Sequence, residues 1–384
     1  MNIITNPKLI NHFLSVIRSV VNPRSNANYS GIQLTAKDGA VTVFASDGNC
    51  TLTGRFETTV LEEGTALVPI MFADILAKQP GDEVTISTEG NSIIIQGNTE
   101  SGNKRKKTRS SISVIEGVLK EPEGAKNVVF SMNASAFSSV LESVRYAIAV
   151  DESRQMLTGL YLEVYPDKAM VTTLDGFRLS HCTLNGKVLL PDGSEGVKGI
   201  IPGRTIALLN KIARSGDENE DIRIAMGKTN VAAECGEFRL TSSLVAGEYV
   251  DYARILPNDN KIQAKVSKEA LKGALDRASV YTADDKNSSV KLTFCTSGTL
   301  KVSAKSRFGN TEEEIPADMT GSEADLSINF NAKYLKDTIS AVLGDDIIFG
   351  LANSTKPATA SDGKSDKIEL ILPVRVFEEK TGAA

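Results

Sequence analysis

The fold class that this sequence predicts is α+β, as three copies of one unit that each pack two amphipathic helices on antiparallel sheet. Three observations carry that prediction. The stretch Val171–Cys182 reads as a strand, an Asp175-Gly176 turn and the start of a second strand, and Val41–Cys50 repeats it 128 residues earlier around Asp47-Gly48. A degenerate third copy runs from Leu300 to Asn310, and the length of 384 is three times 128. Helix starts recur near 6, 133 and 267, and again near 69, 202 and 331. Solenoid repeats have periods of roughly 20–50 residues, so a repeat this long marks domains, each a helix-on-sheet unit.

Asn6 caps the first helix, Pro7 occupies its first turn, and Ile10, Phe13, Leu14, Ile17, Val20 and Val21 recur at helical spacing. Strands are expected at 30–36, 40–46 and 49–58, a helix at 69–78, and strands at 83–88 and 92–97. A basic loop, Lys104–Arg109, precedes a strand at 111–114, and Lys120–Lys126 reads as a linker. The pattern restarts with a strand at 128–132, Asn133 as cap, a helix at 134–146, and strands at 159–164 and 169–174. A helix at 204–214 and strands at 222–226, 230–234 and 237–242 follow, and then a linker at 256–260. The last restart has helices at 267–278 and 331–342, with strands at 290–295, 300–304, 346–351 and 367–372. The domains are therefore 1–126, 127–257 and 258–384.

With 41% apolar and 24% charged residues the composition is that of an ordinary soluble globular protein. Cys50, Cys182, Cys235 and Cys295 have no CxxC spacing and read as buried thiols of a reducing compartment. The N-terminal residues lack the basic and apolar regions of a signal peptide, and no apolar run is long enough to span a membrane, so a cytoplasmic location is expected.

A net charge of −5 by itself argues against nucleic acid, but its distribution reverses the reading. The six helices hold twelve Lys and Arg against five Asp and Glu, so they carry +7 and the rest of the chain −12. Lys8, Arg18, Lys78, Arg145, Arg204, Lys211, Arg214, Lys268, Lys272, Lys333 and Lys336 are the candidate DNA contacts. Arg204, Lys211 and Arg214 share one helix face, as do Lys268 and Lys272. On one helix such lysines are ordinary solvent-facing residues. Across six equivalent helices of an acidic chain they make a shared surface for phosphates, without sequence preference.

Catalytic signatures are missing: there is no P-loop, GxGxxG, HExxH or nucleophile elbow. His12 lies in an amphipathic helix and His181 in a strand, positions that argue against metal or acid–base roles. Asp175 could serve a hydrolase, but Asp47 repeats it, which favours a turn residue. No cofactor, metal or catalytic residue is expected.

These features together resemble the beta sliding clamp of bacterial DNA polymerase III. The resemblance covers the whole chain and is most specific at Arg154–Glu163, Leu174–Leu179, Leu244–Pro257 and Leu372–Val376. It implies a non-catalytic ring, a head-to-tail homodimer of six clamp domains around double-stranded DNA. It also implies partners: the polymerase III catalytic subunit, the clamp-loader ATPase, and other polymerases and repair proteins, which dock short Gln/Leu/Phe-containing motifs in a pocket. Carried over, that pocket uses Leu157, Leu174, Gly176, Phe177, Arg178, Leu179, Val250, Arg254, Ile255, Leu370, Leu372, Pro373, Val374 and Arg375. Its apolar members would receive Leu and Phe anchors, while Arg178, Arg254 and Arg375 frame them. Phe177, Val250 and Val374 stand where the family often has His, Pro and Met, which implies a shifted motif preference. Arg24 matches a family DNA contact. The dimer interface falls on Ser110, Val280 and Tyr281, and Ser110 replaces an aromatic, which implies a weaker dimer. Phe377–Ala384 extends beyond the family's usual end. A Lys at Leu179 is expected to abolish peptide binding and leave the dimer intact. A clamp-like paralogue outside the main replicase, a β-rich ligand-binding module and a hydrolase stay open as other readings.

Overall fold

In a computed structural model the described residues are 1–21, 30–101, 104–120, 124–257, 260–282 and 288–375. Arg24 and Phe377–Ala384 lie outside them. The chain packs as two compact units. One comprises Met1–Ser139, Val164–Asp167 and Asn185–Ala246; the other comprises Val140–Glu163, Lys168–Leu184 and the chain from Gly247 on.

Six helices form where the apolar spacing placed them: α1 (Pro7–Ile17), α2 (Met71–Leu76), α3 (Ala134–Val144), α4 (Gly203–Ala213), α5 (Lys268–Thr282) and α6 (Ala332–Ala341). The Asn6 side chain accepts from the Lys8 amide at 2.8 Å, and the Asn331 side chain from the Tyr334 amide at 3.0 Å. α1 stops short of Val21 because its last residues tighten into i→i+3 bonds, Ser19 to Val16 and Val20 to Ile17. α5 runs one turn further than the sequence pattern, and buries Leu271, Ala274, Leu275 and Ala278 along one stripe.

In the first unit, strands 50–57 and 238–243 pair antiparallel and join two repeats in one continuous nine-stranded sheet. Gly54 lies at this seam. A Cβ there would sit 2.6 Å from Phe13, so only glycine lets α1 close on the sheet. The Phe13 ring packs 4.9 Å from Phe56 and 5.0 Å from Phe238. Deleting such a buried ring costs about 3–5 kcal/mol. A second sheet of five strands ends at Lys104–Ser113, which pairs with Ser92–Ser101. Lys104–Arg109 is thus strand and not the loop expected from its charge. An edge strand tolerates Lys and Arg because it is paired on one side only. Lys107 and Arg109 are exposed, with Arg109 2.7 Å from Glu89.

The second unit is organised by the hairpin with which the repeat begins. Strands Ala169–Leu174 and Arg178–Leu184 pair in register from Ala169↔Leu184 to Leu174↔Leu179. The sheet continues outward through Ile368–Ile371, Ala358–Ser361 and Asp346–Leu351. Beyond these come Ile262–Ser267 and Gly309–Thr320, the latter a strand with no sequence signal strong enough to name it. Asp175 Oδ1 accepts from the amides of Phe177 at 2.9 Å and Arg178 at 3.0 Å, while Gly176 takes φ +94°. Asp47 does the same for Asn49 and Cys50, at 2.9 and 2.7 Å, with Gly48 at φ +96°. Both aspartates are occupied in Asx turns that the backbone needs.

All four cysteines are buried free thiols. Burial pushes Cys50 and Cys182 up to about 12 and Cys235 up to about 11, so thiolate is scarce near neutral pH. His181 shares a 2.8 Å hydrogen bond with Thr172 through Nδ1, and burial lowers its pKa from 6.5. The unfolded chain therefore takes up this proton at higher pH than the folded one. Stability present above about pH 6.5 should be lost as pH falls through the folded-state value. Thermal midpoints of the wild type and His181→Gln, measured from pH 7.5 to 5, should diverge at the acid end, with the wild type falling more steeply. Parallel curves would remove His181 as the cause.

Candidate functional site

Within the second unit the structure gathers much of the expected partner site. Leu157, Leu174, Leu179 and Leu370 form one buried apolar cluster. Ile255 and Leu372 pack on it half-buried, and so do Ala149, Met156, Tyr249, Tyr252 and Leu256. The hairpin supplies Leu174 and Leu179, and strand Ile368–Ile371 pairs beside it with Leu179 opposite Leu370. A short 3₁₀ turn, Glu152–Leu157, brings in Leu157, and another, Tyr252–Arg254, brings in Tyr252 and Ile255 at its end. The Leu372 amide donates to the Phe177 carbonyl at 2.8 Å, and the Val374 amide to the Asn329 carbonyl at 2.8 Å. The first bond holds the segment after the last strand against the hairpin turn, and the second ties it to strand Leu326–Asn331. Pro373 and Val374 are half-buried, and Arg375 is exposed.

The rim differs from the floor. Phe177 is 56% exposed and Val250 38% exposed, although both are apolar. Gly176, between Asp175 and Phe177, has Arg154 beside it. Arg254 is exposed and pairs with Asp251 at 2.9 Å. Leu179 has no exposure at all. A Lys there would bury an ammonium among the three remaining leucines of the cluster, so the Lys variant expected from the sequence to spare the fold attacks the core of this unit instead.

Arg178 also differs from its expected place as a framing cation. It is buried, with Nε 2.8 Å from Asp175 and Nη1 2.6 Å from Asp337 of α6. Its guanidinium lies 4.4 Å from the Tyr334 ring centroid and 5.1 Å from that of Tyr146. Burial opposes its charge, but the hydrogen bonds to Asp337 and Asp175 outweigh burial and raise its pKa. Below it, Glu369 is fully buried, accepts from Tyr146 Oη at 2.6 Å and pairs with Lys367, whose Nζ also donates to the Ala341 carbonyl at 2.7 Å. Tyr252 Oη donates to Glu163 at 2.6 Å and its ring lies 5.0 Å from His181. Tyr249 and Tyr252 fall in the Leu244–Pro257 segment that carried the resemblance, but neither was among the expected site residues. Asp337 had no signal, since only tertiary structure brings α6 to the turn.

The candidate DNA contacts divide by partner. Lys8 stands 3.6 Å from Asp82, Arg18 2.8 Å from Asp74, Arg145 3.3 Å from Glu142 and Arg204 2.8 Å from Asp47; Lys336 pairs with Asp276. Lys211 donates to the Ser15 carbonyl at 2.5 Å, and Lys268 donates to that of Val342. Burial lowers the pKa of both, aided by Arg18 beside Lys211 and Lys272 beside Lys268. Lys78, Lys272 and Lys333 have no ion pair among the described residues, and Arg214 is exposed. A cleft of about 560 Å³ runs along α5, lined by Lys268 and Lys272 but also by Glu269, Asp276 and Asp345. Of the expected interface residues, Ser110 lies half-buried on the edge strand opposite Ile95, Val280 is 75% exposed and Tyr281 is half-buried. No helix among the described residues is long and apolar enough to cross a membrane.

Comparison with known proteins places this geometry in a family. Models of the DNA polymerase III beta subunit match along the chain: the N-terminal domain at residues 1–110, the central domain at 131–251 and the C-terminal domain at 253–375. A beta sliding clamp of Staphylococcus epidermidis is 27% identical over 361 residues, covering 91% of this chain and 92% of the relative. The DNA polymerase III subunit beta of Pseudomonas aeruginosa superposes with a TM-score of 0.89 at 23% identity, covering 98% of this chain and all of that one. A sliding clamp of Bartonella birtlesii, bound to griselimycin, has a TM-score of 0.85 at 26% identity, with coverage of 98% and 100%. With three successive clamp domains matched over most of its length, the chain belongs to the DNA polymerase III beta-subunit family of sliding clamps, non-catalytic processivity subunits.

Proposed function

We propose that two copies of this chain, each with domains 1–126, 127–257 and 258–384, close head to tail around double-stranded DNA. The apolar cluster then receives short Gln/Leu/Phe-containing segments of its partners. Those partners are the DNA polymerase III catalytic subunit, the clamp-loader ATPase, and other polymerases and repair proteins. The observation that carries the peptide reading is the exposed Phe177 and Val250 at the rim of a closed leucine floor. An apolar peptide anchor covers such a rim and gains about 1.5–3 kcal/mol per large side chain buried. Ordering costs offset part of this, so micromolar affinity is expected.

Ring closure rests on the edge strand Lys104–Ser113 and on the exposed Val280 at the end of α5. An unpaired edge is a liability, and a second copy seated on it removes it. The helix cations face phosphate, and the buried thiols suit a cytoplasmic protein. Light scattering should give a mass near twice 41.1 kDa, with dissociation on dilution setting in at higher concentration than for a clamp whose interface has an aromatic in place of Ser110. Monomer alone at micromolar concentration would overturn the ring.

A further inference from the structure

We propose that Asp337 determines the specificity of the partner site by occupying the outward side of Arg178, so that the site selects an apolar anchor over an acidic one. The inference rests on the peptide reading above and adds to it a discriminating residue outside the leucine cluster. Arginine keeps its charge at any working pH, and its fork of donors is the natural receptor for a carboxylate. Left unpaired beside Phe177, it would recruit an acidic peptide side chain.

The geometry prevents this. Arg178 offers Nε to Asp175, whose side chain is 12% exposed, and Nη1 to Asp337, whose side chain is 36% exposed. Asp175 is committed twice over, since it also accepts from the two turn amides. Asp337 is the partner an incoming carboxylate would have to displace. Tyr334 stands one helical turn before Asp337, 4.4 Å from the guanidinium and 5.5 Å from the Phe177 ring. What remains on offer beside the turn is therefore two aromatic rings. A buried charge with all its close partners supplied from within the chain is neutral to a ligand, and an acidic anchor meets like charge from Asp337 instead.

The test uses the full-length chain and two fluorescent peptides, one Gln/Leu/Phe-containing and one identical except for Glu in place of Phe. Wild type should bind the first in preference. Asp337→Asn should shift the ratio of affinities toward the Glu peptide by about fivefold, the scale of a partly exposed ion pair, and added salt should shrink the shift. Asp337→Glu should keep the wild-type ratio. Arg178→Gln in the Asn background should erase the gain, which a merely structural role for Asp337 would not do. Asp337→Ser, read the same way, serves if the Asn variant does not fold. An unchanged ratio in folded Asn or Ser variants overturns the role of Asp337 and leaves the peptide site standing. Failure of the wild type to bind either peptide overturns both.

Discussion

A Phe177→Ala chain is expected to lose about tenfold in affinity for a Gln/Leu/Phe-containing peptide and to keep its fold. Leu179→Lys, two residues on, is expected to lose both. The difference follows from exposure. Phe177 is 56% exposed, so roughly half of a Phe's 1.5–3 kcal/mol of burial energy is still available for a ligand to gain. Removing the ring forfeits about 1.4 kcal/mol of binding, a factor of ten. The turn beneath survives, since it is held by Asp175 side-chain and backbone bonds that do not involve the ring. Leu179 has no surface to lend and sits in register with Leu174 and Leu370. A lone ammonium there costs several kcal/mol, enough to open the hairpin. Fluorescence anisotropy beside a thermal melt separates the two variants. If Phe177→Ala bound peptide with wild-type affinity, the rim would be assigned wrongly. Polymerase stimulation should fall in parallel.

Loaded rings are expected to stay on closed circular DNA at salt concentrations that abolish direct binding, and to leave when the circle is cut. Most of the helix cations already have carboxylates or carbonyls beside them: Arg18 has Asp74, Arg204 has Asp47 and Lys211 has the Ser15 carbonyl. An exposed pair such as Arg18–Asp74 is worth about 0–1 kcal/mol and can exchange its carboxylate for a phosphate, but the exchange gains little. Lys78, Lys272 and Lys333 have no ion pair among the described residues. Direct affinity should be weak and fall with a slope of about 0.9 per phosphate neutralised on a log–log salt plot. Retention must then come from closure. Gel filtration of loaded circles before and after a single restriction cut reads this directly, and equal retention on linear and circular DNA would defeat the idea.

The repeat and the helices were legible because both are local. Asp47-Gly48 and Asp175-Gly176 form the same turn since an Asp side chain reaches the next amides and Gly accepts positive φ, with no help from the rest of the chain. The stripes of α1, α4 and α5 follow from the 3.6-residue period. The leucines of the proposed partner site were named through family resemblance alone, and without it they read as ordinary core. Tertiary structure decided the rest. It made Lys104–Arg109 a strand, because pairing with Ser92–Ser101 satisfies its backbone along one edge, a long-range partnership that charge and spacing do not announce. It closed Leu179 to solvent while leaving Phe177 open, a distinction set by which face of the hairpin the neighbouring strand and the 3₁₀ turns cover. And it placed Asp337, 159 residues further along the chain, against Arg178. An ion pair that distant in sequence leaves no periodicity, only two charges whose meeting depends on how α6 packs.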